Sequence, residues 1–126
     1  MAVVAATRTE TKQERHIERW VGTSAAATEI TLSSGTTPTA PRRLVQVTVS
    51  YSAAPTSAAT TITLNSGAGS GYDTLLSTGQ TNTRYMVYIP DQEITLMSDD
   101  AIDVVAASGG GALTCGVAIY TEILGN

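Results

Sequence analysis

The sequence predicts an all-β protein, an antiparallel β-sandwich with jelly-roll-like connections, preceded by an N-terminal charged arm or short helix. Seven or eight short segments have the composition of strands and are separated by turn signals, and none shows the spacing of a βαβ unit. The segment at residues 45–51 alternates strictly between apolar and polar side chains. Such alternation is typical of a sheet with one buried face.

The charge distribution separates the N-terminus from the rest of the chain. Residues 1–43 hold six of the seven basic residues against four carboxylates, a formal charge of +2. Residues 44–126 hold Arg84 against seven carboxylates, a formal charge of −6, and the whole chain is −4. We therefore expect two units, a docking arm at residues 1–27 and a β-sandwich domain at residues 28–126.

Residues 7–21 are the one segment for which a helix is a reasonable prediction. Thr7 and Glu10 have the spacing of a capping box, and Ile17, Trp20 and Val21 form a narrow apolar stripe at helical spacing. An isolated helix of this length is marginally stable in water. The alternative is an extended arm that becomes ordered when it docks.

The arm also provides the predicted partner-binding residues, which combine basic side chains with apolar ones. Interleaved glutamates cancel most of the basic field, so the pattern favours docking on protein over binding of nucleic acid. Trp20 is either the apolar anchor of that contact or a cover for the end of its own sandwich, and the sequence does not separate these two alternatives. The predicted set is Arg8, Lys12, Arg15, Ile17, Arg19 and Trp20.

The strands of the sandwich follow in order and are separated by loops rich in Gly, Pro, Ser and Asp. The segment at residues 72–76 is either a short strand or an irregular return, and residues 77–82 are predicted to be a loop. The predicted strands are residues 28–33, 45–51, 60–65, 84–89, 92–97, 101–106 and 112–124.

The residues that often carry out chemistry do not form a reactive set in the sequence. Cys115 is the only cysteine and is in phase with apolar neighbours, which indicates a small buried side chain. The only histidine, His16, lies in the arm, so no nucleophile and base are placed together. The turn at residues 99–103 either binds a cation through its aspartates or uses them to accept hydrogen bonds from backbone amides. We predict no catalytic, cofactor-binding or metal-binding residues, no cofactor and no enzymatic activity.

The stretch at residues 88–105, Tyr-Ile-Pro-Asp-Gln-Glu-Ile-Thr-Leu-Met-Ser-Asp-Asp-Ala-Ile-Asp-Val-Val, resembles small jelly-roll proteins of tailed-phage virions. The Thr, Ser, Ala and Gly-rich composition resembles phage capsid decoration (cement) proteins. This resemblance implies a non-enzymatic structural protein on the outer surface of the capsid that bridges neighbouring capsid subunits. It implies as partners the major capsid protein and further copies of the chain, as a homotrimer, with no nucleic acid and no membrane.

The alternative function is a receptor- or carbohydrate-binding β-sandwich module of a phage tail or fibre. Its candidate stacking platforms are the tyrosines at positions 51, 72, 85, 88 and 120. Glycan binding predicts that two or more of them are exposed together, beside Asp or Asn.

Overall fold

The computed structural model describes residues 2–4, 7–12, 16–24, 30–33, 41–97, 99–109 and 112–124. Within these ranges it describes the side chains of residues 17–24 and of those from 41 onward. These residues form eleven strands and one short 3-10 helix, Ser70–Tyr72. The strands are β1 (Ala2–Val4), β2 (Thr7–Lys12), β3 (His16–Thr23), β4 (Ile30–Ser33), β5 (Arg42–Tyr51), β6 (Ala58–Asn65), β7 (Thr74–Thr81), β8 (Tyr85–Tyr88), β9 (Thr95–Leu96), β10 (Ala101–Ala106) and β11 (Cys115–Ile123).

The strands form two sheets that pack as a jelly roll. Sheet A has the order β1-β4-β10-β6-β7, and sheet B has the order β2-β3-β11-β5-β8, with β9 also paired to β5. Apart from the parallel pair β1–β4, the described pairings are antiparallel. Counted from β3, the chain places its first and last strands side by side and crosses repeatedly between the sheets, as in a jelly roll. The predicted fold class is confirmed.

The helix predicted at residues 7–21 is wrong, because β2 and β3 form an antiparallel hairpin in which Arg8 lies opposite Trp20. β3 also pairs with β11 from Ile17 to Thr23. Glu18 and Trp20 are two residues apart and both buried, so the alternation of a strand, and not the period of a helix, decides this segment. Packing of the inward side chains outweighs the weak capping signal at Thr7.

The core lies between the sheets and is built mainly from aliphatic side chains. On β5 the predicted alternation holds for Val47, Val49 and Tyr51, which are buried. It fails at Val45, because the register with β11 shifts beside this residue and Leu44 takes the buried position. One extra residue in a strand reverses the faces of those that follow, as in a β-bulge.

The loop predicted at residues 77–82 is also wrong, because β7 continues to Thr81. Its register with β6 runs from Leu64 opposite Thr74 to Ala58 opposite Thr81, with one irregularity near Ile62. β7 is an edge strand whose residues are half-buried or exposed. Such a strand is held mainly by its backbone pairing with β6 and buries few apolar side chains. Its sequence therefore lacks the apolar alternation from which a strand is predicted.

Candidate interaction surfaces

The structure separates the predicted partner-binding residues instead of collecting them on one surface. Arg8 and Lys12 lie on β2, and Arg15 is outside the described residues. On β3, Ile17 is half-buried, Arg19 is exposed and Trp20 is only 6% exposed within the core. Arg19 and Trp20 are neighbours in a strand, so they face opposite sides of sheet B. The burial of Trp20 agrees with the alternative in which this residue covers its own sandwich.

Trp20 belongs to a buried polar cluster that joins β3, β5 and β11. The Thr121 hydroxyl donates to Glu18 Oε1 (3.0 Å), and the Trp20 indole Nε1 donates to Thr121 Oγ1 (3.2 Å). Arg42 Nη1 lies 3.9 Å from Glu18 Oε1, and both side chains are fully buried. The Arg42 guanidinium lies 5.7 Å from the centroid of the Trp20 ring. Arg42 also donates to the carbonyl of Asp100 (3.4 Å). Because these groups lie inside the sandwich, the cluster is part of the core and is not a docking surface.

The part of the outer face of sheet B whose side chains are described is formed by β3, β11, β5 and β8, and β2 lies beyond β3. Strand register places small residues at its centre, where Gly116 and Ala118 lie opposite Ser50 and Thr48. They form the floor of a shallow depression of about 180 Å³ whose β3 side includes Val21 and Thr23. Residues that lie opposite one another on neighbouring strands form three rows across this face. The first row is Thr23, Gly116, Ser50 and Tyr85, the second is Val21, Ala118, Thr48 and Val87, and the third is Arg19, Tyr120 and Gln46.

A ridge of exposed apolar side chains borders this depression. Tyr85, Val87 and Ile89 are 62%, 55% and 64% exposed, and we call them the β8 ridge. Among the described strands, β8 pairs with β5 alone, and no described strand pairs with its other edge. An open edge strand with apolar side chains is a site of association unless something covers it.

The β8 ridge is not among the predicted binding residues, although the sequence contains a signal for it. Residues 85–89 read Tyr-Met-Val-Tyr-Ile, five apolar or aromatic residues in succession without alternation. Met86 and Tyr88 pack against the core, while Tyr85 and Val87 lie on the outer face. A sequence without alternation, with apolar residues on both faces of the strand, is typical of strands that are buried on both faces. This pattern therefore indicates a covered outer face.

Charged groups lie at both flanks of the outer face. On the β3 side, Arg19 Nε donates to the Tyr120 hydroxyl (3.0 Å). On the β8 side, the loop that follows the ridge carries Asp91 and Glu93, both exposed. The loop borders a second shallow depression of about 150 Å³ beside Arg43. The face thus carries Arg19 on its β3 flank and Asp91 and Glu93 on its β8 flank, with the ion pair of Arg43 and Glu122 between them.

The aspartates of the turn at residues 99–103 accept hydrogen bonds that tie neighbouring loops together. The carboxylate of Asp100 accepts from the amides of Met97 (3.0 Å) and Gly67 (2.8 Å). Asp103 accepts from the side-chain amide of Asn65 (3.0 Å). The bonds to Asp100 are those of the second alternative of the sequence analysis, in which the aspartates accept hydrogen bonds from backbone amides. Within the part of the chain that the structure describes, no group of three potential metal ligands comes together.

Cys115 is buried beside Tyr51, and burial is the main cause that raises the pKa of its thiol from 9.0 to about 11. Burial likewise raises the pKa of Tyr51 to about 12. A thiol with a raised pKa is protonated at neutral pH and is a poor nucleophile.

We expect Cys115 to be unreactive toward an aromatic disulfide reagent at pH 8 in the folded protein and reactive in urea. The folded protein binds the proton of the Cys115 thiol more tightly than the unfolded chain does. This group therefore contributes to the free energy of unfolding in full below pH 9, and the contribution is lost as the pH rises toward 11. Urea titrations between these pH values test this, and Cys115→Ala should weaken the dependence. Rapid native labelling at pH 8 would contradict the burial.

The exposed tyrosines do not meet the condition set for glycan binding. Tyr51 is buried, and Tyr88 and Tyr120 are half-buried. The exposed ones are Tyr72 and Tyr85, at opposite ends of the sandwich: Tyr72 follows the end of β6, whereas Tyr85 pairs with Ser50, near the loop that leads into β6. Two stacking platforms so far apart do not form one sugar site.

No helix within the described residues is long and apolar enough to span a membrane.

No protein-family model matches the sequence, and no curated protein is significantly similar to it. Among solved structures, the chain is similar to a chain of the acid-stable capsid of Helicobacter pylori bacteriophage KHP30. The TM-score is 0.51 at 7% identity, over 95% of this chain and 94% of that chain. The family 32 carbohydrate-binding module of NanJ from C. perfringens, in complex with galactose, has a TM-score of 0.48 at 14% identity, over 91% of each chain. The first similarity agrees with the β-sandwich fold described above, and at this identity it extends to the fold alone.

Proposed function

We propose that the protein is a non-enzymatic structural component of a phage virion that decorates the outer surface of the capsid and bridges neighbouring capsid subunits. The observation that carries this proposal is the β8 ridge on an open strand edge. Tyr85, Val87 and Ile89 are large and exposed, and burial of such groups is the main favourable term in protein association. A protein whose role is to add contact area across seams needs such a surface and no reaction centre.

The fold similarity and the chemistry of the described residues support this proposal. The capsid chain of phage KHP30 is similar over nearly its full length. Cys115 is buried with a raised pKa, and the carboxylates of Asp100 and Asp103 accept hydrogen bonds from amides. The exposed Arg19 is a candidate contact to the major capsid protein, whereas Trp20 acts on docking only through the fold.

We expect antibodies raised against the purified protein to label the outer surface of intact virions of the virus that encodes it. Immunogold electron microscopy provides the measurement, and an antibody against the major capsid protein provides the positive control. Labelling confined to the tail or its fibres would instead identify a receptor- or carbohydrate-binding module. No labelling of intact or opened particles would contradict a virion role of either kind.

A further inference from the structure

We propose that the outer face of sheet B, with the β8 ridge, binds the same face of a second copy of this chain. The two copies are related by a two-fold axis that runs between the faces, parallel to the strands. The proposal concerns self-association in solution and does not depend on the location of the protein in a virion. Because the dimer uses the same ridge and Arg19 as the proposed capsid contact, the two contacts exclude each other.

The shape of the face, with its ridge on the β8 side and its depression on the β3 side, is self-complementary about this axis. A two-fold axis parallel to the strands places the β8 side of one copy over the β3 side of the other, at the same level along the strands. The exposed Tyr85 and Val87 of one copy then lie over the shallow depression of the other, whose floor includes Gly116 and Ala118. Both contacts form at once, as in an isologous interface.

The charges of the face are complementary under the same operation. Arg19 lies on the β3 flank, and its row across the sheet continues through Tyr120 to Gln46. The loop that carries Asp91 runs alongside residues 44–46 of β5, at the level of that row, because β8 ends opposite Val47 and β9 starts opposite Arg43. The two-fold axis therefore brings Arg19 of each copy toward Asp91 of the other. Complementary charge of this kind sets the register of an interface.

The area of the face predicts a weak dimer. The four strands β3, β11, β5 and β8 have 8, 9, 10 and 4 residues. At a spacing of about 4.8 Å between strands and about 3.3 Å between residues, they give roughly 500 Å² per copy. The total of about 1,000 Å² lies at the lower limit for a specific interface. We therefore expect a dimer that dissociates on dilution.

The symmetry distinguishes this proposal from the homotrimer that the resemblance to decoration proteins implies. The ridge and the depression lie on the same face of sheet B. When the ridge of one copy covers the depression of a second copy, the ridge of the second copy faces the depression of the first. A pair of copies then covers both features. A closed dimer leaves neither feature open for a third copy on this face.

Charge reversal tests the proposal through a pattern that a loss of folding cannot produce. Sedimentation velocity at two concentrations a hundredfold apart should show a monomer–dimer equilibrium for the unaltered protein. Arg19→Glu alone and Asp91→Arg alone should each be monomeric, because each homodimer repeats a like-charge contact twice. An equimolar mixture of the two variants should dimerise, because both contacts become opposite in charge. A mixture that stays monomeric while the unaltered protein dimerises would overturn the proposed pairing.

The ridge is tested with two substitutions matched in exposure. Val87→Asp alters a ridge residue that is 55% exposed, and Leu75→Asp alters a residue of edge strand β7 that is 57% exposed. We expect the first to raise the dimer Kd by about tenfold or more and the second by less than about twofold. Equal effects, or a monomer at every concentration for the unaltered protein, would overturn the proposal. Neither result depends on the labelling of virions, so failure of this proposal and failure of the proposed function are distinguishable.

Discussion

Replacing Trp20 with alanine is expected to lower the free energy of unfolding by about 3–5 kcal/mol. The side chain is 6% exposed and packs in the core between the sheets. Its removal leaves a cavity, removes the hydrogen bond from Nε1 to Thr121, and takes away the ring beside the Arg42 guanidinium. Urea unfolding followed by circular dichroism measures the change, because Trp20 is the only tryptophan and the variant loses its fluorescence signal.

The matched control for this substitution is its neighbour, Arg19→Ala. Arg19 is exposed on the opposite face of β3, so we expect a loss of less than about 1 kcal/mol. If Trp20→Ala instead unfolded like the unaltered protein but lost binding to capsids, Trp20 would be the interface anchor of a separate arm. The two variants together therefore decide between the two alternatives that the sequence left open for this residue.

The position of β3 bears on the predicted docking arm at residues 1–27. β3 lies between β2 and β11 in sheet B, and its inward side chains Glu18 and Trp20 are buried. A truncation that removes residues 1–21 would therefore expose the edge of β11 and open the core. The domain boundary at residue 27 stays a prediction, but a loss of capsid binding after this truncation would not by itself identify a binding residue.

The parts of the fold that were predicted from sequence are those in which local pattern and packing agree. The alternation on β5 identified Val47, Val49 and Tyr51 as inward, and the phase of Cys115 identified it as buried. The segment at residues 7–21 was mispredicted because its capping signal and apolar stripe are local, whereas Trp20 is held by residues about a hundred positions away, such as Thr121. Tertiary contacts of that kind leave no trace in the spacing of neighbouring residues.

The outer face of sheet B could not be predicted for a related reason. Its floor and flanks come from four strands that are distant in sequence, and only their register brings Val21, Ala118, Thr48 and Val87 into one row. A shift of one residue in any of these pairings would turn that strand's contribution inward. Only the ridge has a local signal, the unbroken apolar run at residues 85–89.

The second large effect is expected at the buried ion pair. Arg42→Met should lower the free energy of unfolding by about 3–5 kcal/mol, because the carboxylate of Glu18 then stays buried without this counter-charge. Replacing both residues, with Glu18→Leu added to Arg42→Met, should recover much of that loss, because two apolar side chains of similar size cost nothing to desolvate. Urea titrations of the two single variants and the double variant form a double-mutant cycle that measures the coupling.

The pair of Arg43 and Glu122 on the outer face of sheet B is the control that separates burial from distance. These groups are closer, at 2.7 Å against 3.9 Å for Arg42 and Glu18, but their side chains are 31% and 17% exposed. Solvent screens a pair near the surface, so Arg43→Met should cost only about 1 kcal/mol or less. A larger loss at Arg43 than at Arg42 would mean that contact distance decides the stability of these pairs. The expected order is the reverse, because removing one partner inside the sandwich leaves a charge where water cannot reach it.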